Sequence, residues 1–314
     1  MEDIIKGKNI FVTGATGFVG SYLLPKICAS NKVRALVRRP APDIEKLGAE
    51  TVLGDIRDSV AVEKCARGMD LVIHLASVTR SNDEKLNYDV NVTGTKNIAD
   101  ACRKNNIKLI HVSTVNAVSE IKNAYGRTKE LAEKEVIESG IDYVILRCAL
   151  IYGKGSPDME KIIKSLSLPV VPMVGSGKNK LQPVYVTDVI DAILKSAKML
   201  ENLSDFRHAE NHRFSCKNRK IYNIAGPEVL TTEQFKNIIL KKLGKKKPTV
   251  HIPLAFVLAG ASVLEKISKN PFLTKEQALG FKQDRVLDIS LSRKELGFNP
   301  ISFEKGIEKY LNGE

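Results

Sequence analysis

Short β-branched runs alternate with stretches of helical spacing through the first half of this chain. Segments 9–13, 33–37, 51–53, 71–75, 108–113 and 143–146 each read as a strand, and a helical pattern separates most of them from the next. A parallel neighbour is reached only through a crossover, so this rhythm predicts an α/β fold: a doubly wound parallel sheet with helices on both faces. Ligands of such sheets sit at the carboxyl ends of the strands. Most of the chemically interesting side chains of this chain fall just past those ends.

The rhythm breaks after Gly153, where Gly155, Pro157, Pro169, Pro172, Gly175 and Gly177 punctuate the chain. The expected organisation is a Rossmann-type unit over 1–153, rejoined by segments near 183–200 and 221–226, with 154–314 mainly forming a smaller α/β substrate unit. Thr231 with Gln234, and Ser292 with Glu295, have the spacing of capping boxes, the second closed by Gly297 and Pro300. Residues 241–248, rich in lysine and ending in Gly244 and Pro248, read as a helix terminus. Residues 201–220 lack periodicity and read as an exposed excursion.

Composition excludes several classes. No run approaches the roughly 20 apolar residues of a membrane span. The apolar stretch 252–264 reads first as a buried helix, with a hydrophobic lid or a membrane- or partner-facing surface as alternatives. No signal peptide precedes the first strand, so the expected location is cytoplasmic. Cys28, Cys65, Cys102, Cys148 and Cys216 show no Cys-x-x-Cys spacing, which points to core residues, neither a disulfide framework nor a metal cluster. The net charge of +13 lacks aromatic interleaving, so nucleic acid is not the expected partner. An anionic substrate or an acidic lipid surface fits the charge equally well.

Gly14-Ala-Thr-Gly17-Phe-Val-Gly20 follows the first strand and opens a helix. Glycines there permit a tight turn, backbone approach to a pyrophosphate and close helix packing, and the helix N-terminus attracts the anion. A carboxylate at the end of the second strand would hold ribose hydroxyls; this chain has Arg38 and Arg39. An arginine pair suits a 2′-phosphate, which favours NADP over NAD. Asp55 is expected either near adenine or as an ordinary turn carboxylate. Tyr125 and Lys129 stand four apart, on one face if the segment is helical, where an ammonium could favour a phenolate suited to proton transfer.

Together these segments resemble the extended short-chain dehydrogenase/reductase family, which holds nucleotide-sugar epimerases and related reductases. The resemblance spans nearly the whole chain. It adds His74-Leu-Ala-Ser77 beside the cofactor, Asn91-Val-Thr-Gly94 in the central helix, Arg147-Cys-Ala-Leu-Ile-Tyr-Gly153 at the sixth-strand exit and Pro183-Val-Tyr-Val-Thr-Asp188 returning to the sheet. It implies that Tyr125 exchanges a proton with substrate oxygen as hydride moves to or from nicotinamide C4, and that Lys129 holds the ribose. The third hydroxyl falls on Thr114 or Ser113. Cofactor contacts are implied for Gly14, Thr16, Gly17, Phe18, Val19, Gly20, Arg38, Arg39, Asp55, Ile56, Leu75, Ala76, Ser77, Asn91, Val112, Tyr125, Lys129, Cys148 and Ile151.

Val115 and Asn116 follow Thr114 where sugar-nucleotide dehydratases carry Asp and Glu, so a 4,6-dehydratase is disfavoured. The short loop before Tyr125, His111-Val-Ser-Thr-Val-Asn-Ala117, Glu133-Lys134, Asn270-Pro-Phe-Leu-Thr-Lys-Glu-Gln277 and the 284–288 stretch give a closer likeness to the NAD(P)H-binding accessory subunit of respiratory complex I. Three functions follow as expectations. One is an epimerase or reductase of an anionic sugar nucleotide, another a nucleotide-holding subunit docked on a membrane complex, and the third a reductase of a steroid- or flavonoid-like ketone. A homodimer is the oligomer expected from the family.

Overall fold

The computed structural model describes residues 5–209, 218–267 and 274–313. Seven strands form one parallel sheet. Asn9–Thr13, Lys32–Val37, Glu50–Leu53, Leu71–His74, Lys108–Thr114 and Tyr143–Cys148 are strands one to six, and Arg219–Ile224 is the seventh. Their spatial order is 3-2-1-4-5-6-7. All neighbouring pairs are parallel, as the alternation predicts.

Strand alternation divides the apolar side chains between two cores. Ile10, Val12, Ile73, Ile110 and Val144 point to one face, packed by Leu23, Leu24 and Ile27 of helix Phe18–Ile27 and by Val189, Ile190 and Ile193 of helix Val186–Ala209. Phe11, Val72, Leu109 and Ile145 point to the other, covered by helices Ser59–Ala66, Gly94–Asn105 and Ala124–Glu138 through Val62, Ile98 and Val136. The sheet order reverses between strands one and four. That switch point opens the crevice where the glycine turn lies.

A third core joins Tyr152, Met159, Tyr185, Phe235, Ile239, Phe303 and Ile307, with the Phe235 and Phe303 rings stacked 4.7 Å apart. Three two-stranded sheets edge it: Ile151–Tyr152 with Val184–Tyr185, Lys180–Leu181 with Leu230–Thr231, and Val171–Val174 with Thr249–Ile252.

The Thr231 and Gln234 capping box opens helix Thr232–Lys242, whose end carries Lys241, Lys242 and a left-handed Gly244. The second box is a correction. Helix Ser290–Leu296 starts three residues earlier than that spacing requires, so Ser292 lies inside it and donates to the Asn223 carbonyl, and Glu295 pairs with Lys220. The supposed excursion from 201 is helical as far as Ala209. Cys216 and residues 270–273 lie outside the described residues.

The expected burial of 252–264 is also overturned. Helix Leu254–Ile267 buries only Ala261 among its described side chains, while Phe256 is 71% and Ile267 77% exposed. Positions 256, 263 and 267 repeat at helical spacing, so Phe256, Val263 and Ile267 form one apolar stripe toward solvent. Among the described residues no helix is long and apolar enough to cross a membrane.

Candidate active site

Gly14 has φ +72°, and a Cβ there would meet the backbone of the fourth-strand exit, 2.6 Å from Ala76 N and 2.7 Å from Leu75 C. Only glycine meets both demands. Gly17 caps helix Phe18–Ile27 with no side-chain bond, and that first turn has no acidic residue, so its backbone N–H groups are available to an anion. A Cβ on Gly20 would strike the Gly14 and Ala15 carbonyls, which makes it the helix-packing glycine. Thr16 and Gly17 are exposed and Phe18 and Val19 half-buried at the rim. These features fit a pyrophosphate.

Arg38 and Arg39 are exposed, and neither forms an ion pair among the described residues. Asp55 is the turn carboxylate: it accepts the Arg57 N–H and binds its guanidinium at 2.9 and 3.0 Å. That side-chain bond holds its pKa below the usual carboxylate value, with Arg38 adding attraction. An adenine amino group would share this carboxylate with Arg57. Ile56 and Cys148 are buried in the cores, while Leu75, Ala76, Val112 and Ile151 are half-buried along the strand ends.

Asn91 lies on a π-helical turn, Asp89–Thr93, between helices Glu84–Tyr88 and Gly94–Asn105. Such turns reposition side chains at sites. Its amide accepts from Ser77 Oγ at 2.9 Å and Val78 N at 2.8 Å, and donates to the Val78 carbonyl and Thr128 Oγ1 at 3.0 Å each. The cofactor role expected of Asn91 is thereby corrected: every amide group is committed to protein, so Asn91 fastens the fourth-strand exit.

The fifth strand sorts the two candidate hydroxyls. Ser113 turns toward helix Ala124–Glu138, donating to Glu133 at 2.5 Å, and Glu133 is gripped by Arg147 Nη2 at 2.6 Å and Nε at 3.0 Å. Ser113 is corrected to a structural role, since consecutive strand residues face opposite ways. Thr114, at the strand end, and Ser77, at the fourth-strand exit, both pull the Tyr125 phenol's pKa down. Ser77 donates its proton to Asn91 Oδ1. Asn116 N–H donates to Thr114 Oγ1 at 3.3 Å. Thr114, Tyr125 and Ser77 thus bring three hydroxyls together where strands four and five end, with Ser77 tied to Asn91.

Lys129 does not stand over that phenol. Fully buried, it donates to the Val112 carbonyl and to His111 Nε2, each at 2.9 Å. The expected lowering of the Tyr125 pKa is thus overturned: burial pushes it up to about 12, against the pull of Thr114. Burial brings Lys129 down to about 8, opposed by Glu133. The residue alphabet signalled what was overlooked. His111 interrupts an apolar strand, and Glu133 and Arg147 are charges in segments that pack as core.

A cavity of about 230 Å³ is lined by Val174, Gly175, Ser176, Asn179, Leu254, Phe281 and Lys282, on the C-terminal part of the chain. Another, of about 290 Å³, opens among Asn9, Lys32, Arg34 and Glu50 at the amino ends of the strands, the end away from the glycine turn. Among the described residues no group of His, Cys, Asp or Glu is arranged to hold a metal ion.

The glycine turn, switch point and hydroxyl cluster accord with a family comparison, in which the model of the NAD dependent epimerase/dehydratase family matches residues 10–225. The chain belongs to that family. Short-chain dehydrogenase/reductase family 42E member 1 of Danio rerio is 28% identical, covering 96% of this chain and 87% of that protein. N-acetyl-alpha-D-glucosaminyl-diphospho-ditrans,octacis-undecaprenol 4-epimerase of Escherichia coli O157:H7 is 26% identical over 83% and 80%. NADH dehydrogenase (ubiquinone) 1 alpha subcomplex subunit 9 of Dictyostelium discoideum is 28% identical over 91% and 79%. The closer likeness to complex I is therefore corrected to one distant relative among several. In fold, UDP-N-acetylglucosamine 4-epimerase of Methanobrevibacter ruminantium superposes with a TM-score of 0.72 at 20% identity over 98% of both chains.

Proposed function

We propose that this chain is a cytoplasmic NADP-preferring epimerase or reductase that exchanges hydride at a hydroxyl or keto carbon, probing an anionic sugar nucleotide with residues drawn mainly from 154–314. The observation that carries the reading is the cluster of Thr114, Tyr125 and Ser77 hydroxyls at the carboxyl ends of strands four and five. Gly14, Gly17 and the helix N-terminus would hold a pyrophosphate, and Arg38 and Arg39 a 2′-phosphate. A bound nicotinamide supplies the hydride donor or acceptor.

The chain's own part is proton handling. A phenol kept neutral at physiological pH is set to donate to a substrate carbonyl oxygen as it becomes hydroxyl. Thr114 donates to the same oxygen, and Asn91 holds the Ser77 hydroxyl at the fourth-strand exit. The sugar nucleotide is carried over from the epimerases among the relatives and structural neighbours. Tyr125→Phe should abolish turnover of a sugar-nucleotide panel while leaving NADPH binding within about twofold. Retained turnover would sink the assignment.

A second reading rests on a separate observation, the exposed stripe of Phe256, Val263 and Ile267. It suits a nucleotide-holding protein docked on a membrane complex or a less polar substrate. Wild-type protein that co-purifies with NADPH yet turns over neither sugar nucleotides nor ketones would favour docking.

A further inference from the structure

The two imidazoles beneath the site are not equivalent. His74 is saturated: Nδ1 accepts from the Thr13 hydroxyl at 2.6 Å, and Nε2 donates to Thr95 Oγ1 at 2.9 Å, whose own proton goes to the Asn91 carbonyl. His111 lies against it, ring centroids 5.1 Å apart, and is equally buried. Its Nδ1 has no hydrogen-bond partner among the described residues.

Its Nε2 does have one, the Lys129 ammonium at 2.9 Å. An ammonium offers only donors, so Nε2 must present its lone pair and the ring proton must sit on Nδ1, the atom left unpaired. Buried polar atoms without partners are rare, and an aromatic hydrocarbon would fill this strand position without leaving one. What the imidazole adds is a neutral acceptor facing a buried cation.

We propose that His111 is a positioning residue for Lys129: as the Nδ1–H tautomer it holds the ammonium against the fifth strand, sharing it with the Val112 carbonyl. Two of three N–H groups are thereby fixed, and the third remains for the nucleotide. The inference rests on the cofactor-holding part of the proposed function. Facing the ammonium are His111 and, behind it, His74 from the strands, Glu133 from the same helix with Arg147 bound to it, and the buried Cys148 thiol of the sixth strand. Tyr125 stands one turn earlier. Burial already lowers the Lys129 pKa, so losing an acceptor for the charged form lowers it further.

The test uses the intact chain and NADPH, titrated from about pH 6 to about pH 9. His111→Gln keeps an acceptor near the Nε2 position, His111→Asn sets one near Nδ1, and His111→Phe has none. Wild type and the Gln variant should lose affinity at the same pH, and the Asn and Phe variants about one pH unit lower. A residue that merely fills space would change melting temperature without moving that midpoint. Imidazole carbon and nitrogen NMR of wild type, without nucleotide, should show His111 protonated on Nδ1. Coincident midpoints in the wild type and the Asn and Phe variants, or an Nε2–H tautomer, would overturn the proposal. If the Phe variant does not fold, the Gln and Asn contrast and the tautomer decide. Wild type that binds no NADPH at any pH refutes the cofactor reading instead, and the tautomer then judges His111 alone.

Discussion

Gly14→Ala and Gly17→Ala sit three residues apart in one turn and should fail in different ways. At Gly14 the backbone has φ +72°, a conformation that costs an L-residue roughly 1–2 kcal/mol. The new methyl would also lie 2.6 Å from Ala76 N, 2.7 Å from Leu75 C and 2.9 Å from Ala76 Cα. All three are backbone atoms, so no rotamer change relieves the overlap; strands one and four must part, at about 1–3 kcal/mol for overpacking. The sum is about 2–5 kcal/mol. Scaling unfolding entropy to this chain length, each kcal/mol lowers Tm by roughly 1.5 °C, which gives a fall of about 3–8 °C.

Gly17 has φ −83° and ψ 174°, extended backbone open to any residue, and its nearest obstacle is the Gly14 carbonyl at 3.2 Å. Stability should fall by about 1 kcal/mol, the disadvantage of Ala against Gly at an N-cap. The methyl would nonetheless stand over the free N–H groups of the helix, where a phosphate must approach, and NADPH affinity should drop by about tenfold or more. Melting curves and NADPH titration on both variants separate the effects. Gly14→Ala melting within a degree of wild type would refute the close approach at the switch point, and Gly17→Ala binding as wild type would refute phosphate capture at this turn.

Glu133→Ala should destabilise by about 2–4 kcal/mol in urea unfolding, below the full cost of orphaning a buried charge because Arg147 keeps 24% side-chain exposure. Ser113→Ala should cost only about 1 kcal/mol and leave turnover intact, against any catalytic role for that hydroxyl. Asp188, raised to about 6 chiefly by burial and opposed by the Ile301 N–H, keeps its proton in the native state where the unfolded chain, near ~3.9, has lost it. Stability should therefore fall as pH rises from about 4 to about 6 and level off above, and Asp188→Asn should flatten that slope. Arg38→Ala should weaken NADPH by about tenfold and spare NADH; equal wild-type affinities in calorimetry would remove the NADP assignment.

Periodicity carried the fold because both of its requirements are local. The run 9–13 must be buried on two faces, and its neighbours must be reached by crossover, so six strand positions were legible within a residue or two. Helix Leu254–Ile267 was misread for the same reason. An apolar run implies burial only where something covers it, and the described residues supply a cover for Ala261 but not for Phe256 or Ile267. Ser292 and Glu295 have capping-box spacing, but that pattern says nothing of where the preceding strand delivers the chain. The seventh strand brings Asn223 beneath Ser292, and the hydroxyl follows that contact into the helix interior.

The Tyr125 and Lys129 pair shows where local spacing stops. Four residues on a helix put both side chains on one face, which is correct here. The target of a long side chain is set by whatever the opposing strand presents. Strand five presents a carbonyl at Val112 and a lone pair at His111, both in the lysine's reach and both dry. The buried ammonium takes those two fixed acceptors in place of the phenol. The phenol's acidity is then governed by burial and by Thr114, and the cation becomes a separate fixture of the site. The Thr114 and Ser77 hydroxyls that bear on the phenol, more than the Tyr and Lys spacing, set what Tyr125 could do with a proton.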